Sequence, residues 1–144
     1  AWLQSKSLPM PGAAGMFCGA AHEWNGDMNH VVSAQMGWRS PGSSSQLAYF
    51  KGSDLNNPLL TPGKSADVLA NFPPSLLISS TRDYFLSSVV YTHTQLTKLG
   101  VQSDLHVWEG MEHGFFVNDL DLPESREVFH VINNFFDKYL ASEP

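Results

Sequence analysis

Between Phe72 and Phe116 the chain runs strand, acid, helix, strand, histidine, and that order leaves few folds open. Ser75-Leu76-Leu77-Ile78-Ser79-Ser80, behind Pro73-Pro74, has the length and apolar content of a strand buried on both faces. Thr81-Arg82-Asp83 follows as a loop. From Tyr84 to Leu99 the residues Leu86, Val89, Val90, Leu96 and Leu99 recur at helical spacing, and Gly100 suits the position just past a helix C-terminus. Ser103-Asp104-Leu105-His106-Val107-Trp108 then alternates as a second strand. Glu109-Gly110-Met111-Glu112-His113-Gly114 is expected to be a loop with a glycine on either side of the histidine.

A strand-helix-strand unit of this length is most simply a crossover joining two parallel strands. Asp83 and His113 both leave carboxyl ends of their strands, and open α/β sheets place ligands and chemistry on that rim. An Asp carboxylate that accepts from one imidazole nitrogen fixes the tautomer and leaves the other nitrogen free as a general base. The residues alone leave a plainer alternative open, a solvated loop Asp and a structural His.

Three stretches carry a family resemblance: Phe72 through Asp83, Leu99-Gly100-Val101, and Val107-Trp108-Glu109-Gly110-Met111-Glu112-His113-Gly114-Phe115. Together they resemble the C-terminal part of the α/β-hydrolases of the hormone-sensitive-lipase-like esterase and lipase family. Asn57-Pro58-Leu59-Leu60-Thr61-Pro62 is similar to a segment of that family as well. The resemblance covers residues 54 to 140 well and residues 1 to 20 more loosely. It implies a three-layer α/β/α sandwich with parallel strands, near residues 12 to 19, 75 to 80 and 102 to 108, and a serine hydrolase acting on small carboxylic esters without metal or cofactor. It also implies catalytic roles for Asp83 as the acid and His113 as the base of the triad.

The family's nucleophile sits in Gly-x-Ser-x-Gly on a strand-to-helix turn, and this sequence holds no such pentapeptide. Gly63-Lys64-Ser65-Ala66-Asp67 lacks the second glycine, and Gly15-Met16-Phe17-Cys18-Gly19 places a cysteine one position late. The family's oxyanion-hole glycines are missing too. Residues 1–144 are therefore expected to be the C-terminal portion of one domain, inactive alone, with the serine upstream of residue 1 or on a companion chain. A second copy of the chain is the other expected associate. Two rivals stay open: a non-catalytic α/β-hydrolase-like binding protein, and an unrelated doubly wound binding domain.

Composition narrows the partners. With 8 basic against 14 acidic residues and a net charge of −6, the chain lacks the basic footprint of a nucleic-acid binder. No apolar run approaches the roughly 20 residues of a membrane helix. Cys18 is the single cysteine, so no intrachain disulfide can form, which fits a reducing, cytoplasmic setting. A small buried core residue is the expected role of Cys18, since no basic neighbour in sequence lowers its pKa.

Residues 20 to 72 read as an irregular excursion over the active-site rim, too long for an ordinary connection. Met28, Val31, Val32 and Met36 predict a short helix from Met28 to Met36, and Gln46 to Phe50 a further helical turn. His22, Glu23, Asp27 and His30 include metal-ligand types, but their spacing matches no closed zinc or calcium pattern. Trp24, Trp38, Tyr49 and Phe50 are candidates for a pocket wall, with simple packing as the alternative. Beyond His113, Pro123 fits the first position of a last helix, whose Val128, Ile132, Phe135, Phe136, Tyr139 and Leu140 form an apolar stripe. His93 and His106 are expected to be packing residues.

Overall fold

The computed structural model describes residues 1–37 and 48–141, the side chain of Tyr49 excepted. In chain order these form α1 (Trp2–Ser5), β1 (Ala14–Phe17), α2 (Asp27–Gln35), 3-10 turns at Ala48–Phe50 and Pro62–Lys64, and α3 (Ala66–Ala70). Next come β2 (Ser75–Arg82), α4 (Leu86–Lys98), β3 (Ser103–Glu112), α5 (Phe115–Asn118) and α6 (Pro123–Leu140). The three strands make one sheet in the order β1-β2-β3, with both pairings parallel.

β2 is central because its sequence is apolar toward both faces. Leu76, Leu77 and Ile78 are each 0% exposed, and burying a side chain of that size stabilises by about 1.5–3 kcal/mol. Alternation along the strand sends Leu76 and Ile78 to one layer and Leu77 to the other. The first layer holds Phe115, Phe116, and Val128 and Phe135 from α6. The second holds Leu69 from α3 with Val89 and Leu96 from α4. The sheet is thus covered on both faces, as the fold class requires.

Pro123 starts α6 as expected, and Val131, Ile132, Phe136 and Tyr139 extend its buried stripe. Leu140, the last residue of the predicted stripe, is exposed. α2 forms one residue earlier than its periodicity predicts, and it buries Asn29, Val32 and Ser33 while Val31 faces solvent. Its position owes more to polar anchors than to an apolar face: the Met28 N–H donates to Ser87 Oγ at the start of α4. The excursion is also more regular than expected. α3 was not foreseen, although Ser65 caps it by accepting the Val68 N–H at 3.3 Å.

The main correction lies at the rim. Thr81-Arg82 and Glu109-Gly110-Met111-Glu112 were expected to be loops, yet they continue β2 and β3. A register shift between Ser80 and Arg82 absorbs an irregularity, with Gly110 in left-handed conformation at φ 75° and its N–H donated to Thr81 Oγ1 at 2.7 Å. Pairing then resumes as Arg82 opposite Glu112.

Candidate active site

That last pair sets the site. Asp83 follows Arg82 and His113 follows Glu112, so parallel register delivers acid and histidine side by side at the carboxyl ends of β2 and β3. The His113 Nδ1 and Asp83 Oδ1 atoms are 2.7 Å apart. An ionised carboxylate only accepts, so Nδ1 carries the proton, and in the neutral ring Nε2 keeps a lone pair. Asp83 is fully buried, while the His113 side chain is 30% exposed.

The Asp83 carboxylate is held by more than the histidine. Its Oδ1 also accepts the Phe85 N–H at 2.8 Å, and its Oδ2 accepts from Ser79 Oγ at 2.7 Å. Burial pushes the Asp83 pKa up, but the hydrogen bonds from His113, Phe85 and Ser79 outweigh it and leave the carboxyl below its ordinary range. The acid is therefore ionised at neutral pH despite its burial. Ser79 escaped the sequence reading because serine in a buried strand gives no signal of its own. Its spacing of four from Asp83 becomes meaningful only when the chain turns back at the strand end.

Aromatic rings set the His113 ring in place. Tyr84 stacks on it at 4.4 Å between centroids and 19° between planes, with Phe85 at 5.7 Å. Trp24, almost fully buried, stacks on Phe85 at 5.2 Å and 8°. Trp24 and Phe50 also line a cavity of about 220 Å³ with Leu60, Thr61 and Phe85. Of the four candidate wall residues, Trp24 thus reaches the pair through Phe85, and Phe50 lines the same cavity; Trp38 and the Tyr49 side chain fall outside the described residues. A larger cavity of about 490 Å³ lies between the His22–Asp27 segment and α4, lined by neither Asp83 nor His113. Size alone would point there, but the acid-histidine pair stands at the strand ends.

The proposed metal-ligand types do not converge. Glu23 pairs with Lys64 at 2.7 Å, His22 Nδ1 lies 3.0 Å from Thr92 Oγ1, and Asp27 and His30 are exposed on α2. Burial lowers the pKa of His22. His93 is satisfied by Ser103 Oγ at 2.9 Å, as expected of a packing residue. His106 departs from that expectation: it is exposed on β3 and stacks on Trp108 at 6.0 Å.

Among the described residues, the one group of potential ligand atoms within 4.8 Å of one another is Cys18, Asp83 and His113. Cys18 is expected from the sequence to be a small buried core residue. It is buried, and it also stands beside the pair. Burial and the neighbouring Asp83 charge push its thiol up to about 12. A thiol raised this far offers little thiolate at neutral pH, which argues against its use as a nucleophile.

The sequence from residue 5 to 117 matches the alpha/beta hydrolase fold family. Among solved structures, esterase E25 superposes with a TM-score of 0.81 at 32% identity, covering 96% of this chain and 43% of that one. An esterase from the bacterial hormone-sensitive lipase (HSL) family gives a TM-score of 0.83 at 23% identity, covering 96% and 47%. An esterase/lipase from an uncultured bacterium gives 0.81 at 22%, covering 98% and 47%. The chain thus spans less than half the length of these structures. Comparison with curated proteins gives no match. Among the described residues, no helix is long and apolar enough to cross a membrane.

Proposed function

Because the chain belongs to the α/β-hydrolase fold family, we propose that it is the C-terminal portion of a carboxylic ester hydrolase, supplying Asp83 and His113 to a Ser-Asp-His triad. The observation that carries this reading is the 2.7 Å contact between His113 Nδ1 and a fully buried, ionised Asp83. Similarity to esterase E25 and the other esterases supports the reaction class. The serine comes from upstream sequence or from a companion chain.

In the mechanism, the serine hydroxyl attacks the acyl carbonyl as His113 Nε2 takes its proton. His113 returns that proton to the leaving alcohol, and Asp83 stabilises the imidazolium formed in between. A water activated by His113 then releases the acid. β1 stands at one edge of the sheet, with Phe17 38% exposed. Among the described residues no strand pairs with that edge of β1; such an edge accepts a further strand, and we assign it to the strand that bears the nucleophile.

The missing Gly-x-Ser-x-Gly favours the rival reading, an α/β-hydrolase-like binding protein without catalysis. Hydrolysis of p-nitrophenyl acetate separates the two. The 144-residue chain alone is expected to show no hydrolysis that depends on His113. A protein extended upstream to include the serine motif is expected to turn over the ester and to lose about 10⁴-fold or more of kcat on His113→Ala. Turnover unaffected by His113→Ala in the extended protein would overturn the assignment.

A further inference from the structure

Cys18 is a buried group that the proposed mechanism leaves unused, and its geometry is unusual in three respects. Its backbone is left-handed at φ 49°, a region that non-glycine residues seldom adopt. Its N–H donates to the Ile78 carbonyl at 2.7 Å, which pins the end of β1 to β2. The turn carries Sγ inward, within 4.8 Å of the Asp83 and His113 ligand atoms, where it accepts the Gly114 N–H at 3.3 Å. Gly114 is itself buried and left-handed at φ 70°, directly after the histidine. A buried N–H at such a turn needs an acceptor, and the one it has is this sulfur.

We propose that Cys18 is a positioning residue for the acid-histidine pair, its thiol tying the end of β1 to the histidine turn and so setting where the His113 ring stands beside Asp83. The proposal rests on the triad reading of Asp83 and His113. The thiol's lone pairs accept from Gly114, while Sγ stands beside the Asp83 carboxylate. Were the tie only packing, any residue of similar size would serve. As a polar tie, it is kept by a hydroxyl and lost with a methyl.

The test compares Cys18→Ser and Cys18→Ala by amide hydrogen exchange and by the ¹⁵N shifts of the His113 ring. In Cys18→Ala the Gly114 amide is expected to exchange about tenfold faster or more, relative to the amides of Leu76–Ile78, and the ring to lose its single Nδ1–H tautomer. Cys18→Ser is expected to keep Gly114 protection within about threefold and to keep the tautomer. The proposal is overturned if Cys18→Ala leaves Gly114 and the ring unchanged, or if β2 amides accelerate as much as Gly114. If Cys18→Ala does not fold, Cys18→Ser decides: retained protection supports the tie and lost protection overturns it. Asp83→Asn tests the underlying pair separately, since an unchanged His113 ring signal there would refute the pairing whatever the Cys18 variants show.

Discussion

The β2–β3 rim and the excursion from residue 20 to 72 both lie along one sheet, yet they are held in place by different means. At the rim, position follows from backbone register: the pairing that runs from Leu76–Asp104 to Ser80–Trp108 shifts by two residues at the bulge, so Arg82 meets Glu112 and Asp83 and His113 arrive together. In the excursion, position follows from separate side-chain anchors. The Ala21 N–H donates to Thr92 Oγ1, the Asn25 N–H to Ser88 Oγ, and Ser88 Oγ in turn to the Glu23 carbonyl. Register is cooperative, so it fails as a whole; anchors fail one at a time. The triad role proposed for Asp83 and His113 would benefit from the first kind of support, because a displacement of about 1 Å in a reacting group is costly.

The largest effect that this contrast predicts lies under the rim. Leu77 is 0% exposed in the central strand, and Leu77→Ala is expected to destabilise by about 2–5 kcal/mol. Denaturant unfolding is expected to show a lower midpoint, with the pair and the core lost in one transition. Survival of the core after loss of the His113–Asp83 contact would break the claim of cooperativity.

An intermediate effect is expected at Ser79, whose hydroxyl donates to the Asp83 carboxylate. Ser79→Ala removes a hydrogen bond to a buried charge and is expected to cost about 1–3 kcal/mol. Its signature is pH dependence. A carboxyl lowered by folding contributes stability that is present above its unfolded pKa and lost as pH falls through the folded one. Removing the Ser79 donor brings the folded value back up, so acid unfolding monitored by circular dichroism is expected to begin at higher pH in the variant. An unchanged acid midpoint would mean that Ser79 packs without supporting the charge.

The smallest effect belongs to the excursion. Lys64 and Glu23 form an ion pair at 2.7 Å with side chains 39% and 25% exposed. Such a pair is screened, and Lys64→Ala is expected to cost less than about 1 kcal/mol, falling further in salt. A loss in thermal unfolding as large as that of Leu77→Ala would remove the distinction between the two regions.

The sequence by itself determined the sheet and the order of its functional groups, because both depend on local signals. An apolar run behind Pro73-Pro74, a helical repeat ending at Gly100 and an alternating strand before His113 each report their own structure, and parallel pairing puts their ends on one rim. Only the tertiary structure decided how that rim is wired. The extension of β3 to Glu112 depends on a bulge accommodated by Gly110 and Thr81, a match between two strands that neither strand reveals alone. Ser79 and Cys18 became neighbours of Asp83 through a strand end and a left-handed turn, 4 and 65 residues distant in sequence, and their roles arise from what folding places beside them. Residue type sets which hydrogen bonds a side chain can make. Which of them it does make depends on partners that the linear chain keeps apart.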